Sequence, residues 1–157
     1  MGYESKTGLN VHNHYGPRNL GGAKGVYRTS GAENELTLIV TGETLNSTFE
    51  LPVDIPAGAV VTKATAHVTE AFDLGGTTPT ILFGTLGSEV TNGGVLAEAD
   101  AEVEGYYDIT ASLTGTWDAE AAFAAKTSVG VALGGTTPTA DATVGRVVIV
   151  VKFSNVA

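Results

Sequence analysis

The sequence predicts an all-β fold: a jelly-roll-like β-sandwich of about eight strands, with one short helix and an extended N-terminal arm. Three observations carry that expectation. Residues 55–72, IPAGAVVTKATAHVTEAF, open on a Pro-Ala-Gly turn and then alternate apolar with polar side chains, the period-two signature of a half-buried strand. Glycine is abundant, with 21 in 157 residues, which suits many turns between short strands. Further alternating runs recur at regular spacing along the chain, the pattern of a sandwich rather than of βαβ units. Apolar residues make up 43% and charged residues 16%, enough to build a core and too few charges for a disordered chain.

Residues 1–34 read as the arm and 35–157 as the β-sandwich domain. The arm follows neither strand nor helix periodicity and is rich in Gly, Asn and Ser, yet it carries Tyr3, Val11, His12, His14, Tyr15, Leu20 and Tyr27. A free linker has little use for aromatic groups, whereas an extended segment lying on a surface does. Charge agrees. Residues 1–28 hold Lys6, Arg18, Lys24 and Arg28 against Glu4, a net of +3, while the rest holds four basic and sixteen acidic groups, a net of −12. The acidic body argues against nucleic-acid binding, because phosphate would be repelled. The arm suits an acidic protein surface, with Val11, His12, His14, Tyr15, Arg18, Lys24, Tyr27 and Arg28 as the candidate partner-binding residues.

Taken in order, 35–41 (ELTLIVT) sets Leu36, Leu38 and Val40 on one face, 42–44 turns, and 47–51 gives a second strand. Prolines 52 and 56 mark a crossing into the long strand. There Val60, Thr62, Ala64, Ala66, Val68 and Phe72 are expected on one face, with Val61, Lys63, Thr65, His67 and Thr69 on the other. The heptapeptide LGGTTPT then occurs twice, at 74–80 and 133–139, and its Gly-Gly and Pro point to two equivalent hairpin loops. As a strand, 95–104 would line up Glu98, Asp100, Glu102 and Glu104 about 7 Å apart. Such a row is better read as a solvated face than as a cation site, since the Asp/Asn/Gly turns of calcium loops are missing. Residues 106–113 alternate again. Asp118 as N-cap, an alanine-rich interior and Lys126 near the end predict a helix over 117–126. Residues 127–133 and 144–153 supply the last strands, the latter apolar on both faces and so expected to be central or covered by another subunit.

Little chemistry is legible. Cysteine is absent, which removes disulfides and thiol nucleophiles, and no nucleophile elbow, phosphate loop or HExxH motif occurs. His12 and His14 could share a metal, but a site needs three or four ligands and the only other histidine is His67, on the polar face of the long strand. The reading is therefore no enzyme and no cofactor. An acidic-residue glycosidase or a sugar-binding module would need aromatic platforms, for which Trp117 and Tyr106 are the candidates. No apolar run approaches membrane-spanning length, and the N-terminus has no apolar signal region, so the expectation is a soluble protein made in a cytoplasm.

The segments NVHNHYGPR, ELTLIVTGE, LPVDIPAGAVVTKATAHVTEAFDLGG and RVVIVVKF together resemble small virion proteins of tailed bacteriophages, in particular capsid decoration (cement) proteins. The resemblance implies a β-sandwich on the outer surface of an icosahedral capsid, often a trimer, whose N-terminal arm docks on the major capsid protein. It implies synthesis in the host bacterial cytoplasm and no membrane partner. Similar sequences also occur as head-fibre or tail components, which leaves those positions, or a carbohydrate-binding module, as the alternatives.

Overall fold

The structure is a computed structural model that describes residues 25–30, 33–46, 49–118 and 121–155. Nine strands are formed among these residues: β1 Gly25–Ser30, β2 Glu33–Thr41, β3 Phe49–Ile55, β4 Ala59–Glu70, β5 Leu74–Leu86, β6 Val90–Ala97, β7 Gly105–Asp108, β8 Thr127–Ala140 and β9 Arg146–Asn155. They make two antiparallel sheets, ordered β1-β2-β9-β4-β7 and β3-β8-β5-β6. The chain is an all-β sandwich. Setting β1 aside, β2 pairs with β9, β3 with β8, β4 with β7 and β5 with β6, so the pairs nest as if one long hairpin had been rolled up. β1 takes up residues within the stretch expected to be arm and pairs along β2 from Gly25 opposite Leu38 to Ser30 opposite Glu33.

The core lies between the sheets. Leu36, Leu38 and Val40 of β2, Val147, Ile149, Val151 and Phe153 of β9, and Ile81, Phe83, Val129 and Val131 of the second sheet are all buried, as their alternation requires. β4 departs from its expected face. Its register against β9 slips between Val61 and Lys63 and again between Val68 and Glu70, so Thr62 and Thr69 are extra residues. Each bulge threonine donates its hydroxyl to the facing carbonyl, Thr62 to Lys152 at 3.2 Å and Thr69 to Arg146 at 3.3 Å. The first bulge flips the side-chain parity. Ala59 and Val61 therefore join Ala64, Ala66 and Val68 in the core, while Val60 and Thr62 do not.

Two other expectations are corrected. Among the described residues of 117–126 the predicted helix is not formed. Gly115–Trp117 is a single 3-10 turn, and Phe123 is pinned by backbone bonds from its N–H to the Ala59 carbonyl (2.9 Å) and to its carbonyl from the Gly58 N–H (2.7 Å). Trp117 and Phe123 both belong to the core. Six residues apart on a helix they would diverge around the axis, so burying both takes precedence over alanine's helix propensity. The acidic row dissolves too. β6 ends at Ala97, and Glu98–Ala101 is a helical turn in which the Glu98 carbonyl accepts from the Glu102 N–H at 3.0 Å. Glu102 instead accepts a hydrogen bond from the Leu74 N–H at 3.3 Å.

The LGGTTPT copies are not two loops. They lie in β5 and β8 and pair with each other. Gly75 stands opposite Thr139, Thr77 opposite Thr136 and Thr80 opposite Gly134, with one extra residue on each side of the central Thr77–Thr136 pair. Exchanging the two copies maps this ladder onto itself, so a local twofold passes between Thr77 and Thr136. Backbone angles obey it: φ is +112° at Gly76 and +113° at Gly135, and 49° and 48° at Thr78 and Thr137. The bulged residues are Thr78-Pro79 and Thr137-Pro138, each pair standing opposite the positive-φ glycine of the other copy.

Asp54, near the end of β3, binds Lys126 at 2.7 Å, and that hydrogen bond holds its carboxyl below its usual value. A depressed carboxylate contributes stability above its unfolded pKa and loses it as pH falls through the folded one. Acidification below pH 3.8 should therefore lower the melting temperature of the wild type more than that of Asp54→Asn. Parallel thermal melts from neutral to acid pH will show the two curves converging if this pair matters, and running parallel if it does not.

Candidate functional site

The arm residues Val11, His12, His14, Tyr15, Arg18 and Lys24 lie outside the described residues. Tyr27 and Arg28 fall in β1, at register positions opposite Leu36 and Glu35. Among the described residues no group of three or more His, Asp or Glu side chains could hold a metal ion, and no helix is long and apolar enough to cross a membrane.

What the strands do assemble is the outer face of the five-stranded sheet. The inner-facing positions of β2, β9 and β4 go to the core, which leaves their alternate positions outside. Across the sheet these fall into rows: Ile39, Val148, His67 and Tyr106; then Thr37, Val150, Thr65 and Asp108; then Glu35, Lys152 and Lys63. Val148 and Val150 are only half-buried here. The second apolar face of β9 thus reflects its central place in the sheet, flanked by β2 and β4.

Tyr106 stands up from the short edge strand β7 and is 69% exposed. Its hydroxyl donates to Thr65 Oγ1 at 3.2 Å, and its ring lies 5.9 Å from that of His67, tilted by 49°. Thr65 is consequently buried although it sits on the outer face. Lys63 and Lys152 are direct cross-strand neighbours. Like charges so placed repel, and each is compensated on its far side: Lys63 by Asp108 at 3.8 Å, Lys152 by Glu33 at 3.1 Å. The Glu33 contact, with Glu35 nearby, holds the Lys152 ammonium above its usual value. Asp108 is held below its own by the Thr110 hydroxyl (2.6 Å), helped by the Thr110 N–H and by Lys63. Glu35, Lys63, Thr65, Tyr106, Val150 and Lys152 enclose a saddle of about 330 Å³.

Of the two aromatic groups proposed from sequence as sugar platforms, only Tyr106 is available. Trp117 is wholly buried, with its indole N–H donating to Thr85 Oγ1 at 2.9 Å, so the tryptophan part of that expectation is overturned. Sequence reasoning missed the two lysines. They lie far apart in the chain and only the β4–β9 register joins them.

No family model and no curated protein matches the sequence. Among solved structures the fold is similar to that of a chain in the cyanophage Pam1 capsid asymmetric unit, 19% identical, with a TM-score of 0.51. The match covers 90% of this chain and 92% of that one, so the likeness is one of whole fold between two chains of similar length.

Proposed function

We propose that this chain is a structural protein of a bacteriophage virion, decorating and stabilising the outer surface of the capsid. The observation that carries the reading is the end-to-end likeness to a chain of a phage capsid asymmetric unit. A partner matched over 92% of its length is itself a small sandwich and no larger protein with a sandwich inserted. We read the nested strand pairing as a jelly roll, an architecture used by capsid proteins. The sequence resemblance to decoration proteins points the same way, and neither line of support involves an enzyme.

In this reading the sandwich forms a trimer and the segment 1–34 of each copy docks on the major capsid protein through Val11, His12, His14, Tyr15, Arg18, Lys24, Tyr27 and Arg28. Binding only the assembled shell stabilises it by mass action, and three tethered arms give avidity without any one contact being strong. The charge division supports the arm's part: the basic leader would meet an acidic surface.

The test is retention on purified particles. Deleting residues 2–23, which spares β1, should strip the protein from the capsid during gradient centrifugation, while the free body keeps its β-rich circular dichroism. Occupancy equal to wild type would remove the arm from the mechanism. Copy number separates decoration from a tail or fibre position: a shell protein is present in hundreds per particle, a fibre protein in few.

A further inference from the structure

We propose that the saddle on the outer face of the five-stranded sheet binds an acidic sugar unit, a pyranose carrying a carboxylate, such as a hexuronate. This inference does not depend on where the protein sits in a virion. It rests on the meeting of three features in one place.

The first is charge. Between residues 33 and 155 the sequence has only four basic residues, and two of them, Lys63 and Lys152, are put side by side on central strands. An opposite charge or an apolar residue at either position would serve the sheet better. The two side chains lean apart, Lys63 towards Asp108 on β7 and Lys152 towards Glu33 on β2. A gap is left between two ammonium groups. Both contacts are solvent-exposed, at 51% and 40% exposure for the lysines, so a ligand carboxylate can recruit either lysine at small cost.

The second is the platform. Tyr106 presents a mostly exposed ring that is already oriented by its bond to Thr65 and by His67, so little side-chain freedom is lost when a ligand lands on it. The face of a pyranose is a patch of C–H groups flanked by hydroxyls, which suits an aromatic ring beside polar groups. The third is size and polarity. A volume of about 330 Å³ is at the small end of ligand pockets and suits a ring-sized ligand. Glu35 on the opposite side can accept from sugar hydroxyls, Val150 gives an apolar floor, and the lysines act only as donors. A neutral sugar would leave the lysines in their existing pairs with Asp108 and Glu33, whereas a carboxylate set between them draws on both ammonium groups. An acidic peptide would satisfy them but would gain nothing from the ring.

The experiment titrates the isotope-labelled full chain with tri-galacturonate, its carboxyl-reduced neutral counterpart and a triglutamate peptide, followed by amide chemical shifts. The expected result is saturable shifts at Lys63, Val150 and Tyr106 with tri-galacturonate alone, weakening with added salt. Lys63→Gln combined with Lys152→Gln should weaken binding by about tenfold or more, and so should Tyr106→Ala, while Tyr106→Phe keeps the ring and most of the affinity. All four are surface changes whose folding the same spectra verify. The proposal is overturned if the neutral trisaccharide or the peptide binds as tightly, if Tyr106→Phe loses as much as Tyr106→Ala, or if no ligand shifts these amides at millimolar concentration.

Discussion

Replacing Trp117 by alanine should cost about 3–5 kcal/mol of folding stability, the largest loss expected from any one side chain here. The indole is fully buried and held edge-on by two other aromatic rings, Phe83 at 5.7 Å and Phe123 at 5.4 Å. Its N–H is satisfied by Thr85. Alanine would leave a cavity lined by those rings and take away the donor that Thr85 Oγ1 accepts from, so the loss combines packing with one hydrogen bond. Collapse around the site is hindered because Phe123 is tied to Gly58 and Ala59 through the backbone. Phe83 is confined in turn: a side-chain carbon at Gly94 would strike its ring. Urea unfolding followed by circular dichroism gives the answer. A loss under about 1 kcal/mol would mean that this corner of the core is far looser than its geometry implies.

The second large effect comes as a matched pair. Gly76→Ala and Gly135→Ala should each destabilise by about 2 kcal/mol or more, because φ near +110° is glycine territory and a Cβ would press on facing carbonyl oxygens. At Gly76 the nearest is Thr137 O at 2.7 Å; at Gly135 it is Thr78 O at 2.6 Å. Since the local twofold gives both positions the same surroundings, the two losses should agree within about 0.5 kcal/mol. Each added methyl presses on the strand that carries the other, so the double variant should lose less than the sum. Gly87→Ala, whose Cβ would meet nothing nearer than 3.8 Å, serves as the neutral control. Losses at Gly76 and Gly135 that differ widely would show that the repeated heptapeptide is not used symmetrically.

Alternation made much of the fold legible. In β2 and β9 the buried set is the one that period two picks out, since neither strand is interrupted along their shared register. β4 was legible as a strand but not in its faces. A bulge adds one residue without any compositional mark beyond a threonine, and it inverts everything on one side of it. The segment 117–126 misled because alanine, aspartate and lysine argue locally, whereas Trp117 and Phe123 answer to Phe83 and Ala59 across the core. LGGTTPT misled in the same way, since a glycine pair that permits a turn equally accommodates the bulged Thr-Pro of the other copy across a ladder. The candidate site was half visible. Tyr106 could be named as an exposed aromatic group, but Lys63 and Lys152 become neighbours only through pairing at long sequence separation, which no local pattern encodes.

The two flanks of the sandwich are finished differently. Along β6, the Gly93 carbonyl is occupied by the Thr114 N–H and the Val95 N–H by the Ser112 hydroxyl, while β7 on the same flank has only four residues. At Gly93 and Val95 a foreign strand finds the backbone of β6 already engaged. At the other margin stand β1 and β3, which run six and seven residues. Any lengthening of a sheet by a neighbour's chain is thereby blocked at those points of β6 and given little length to copy on β7.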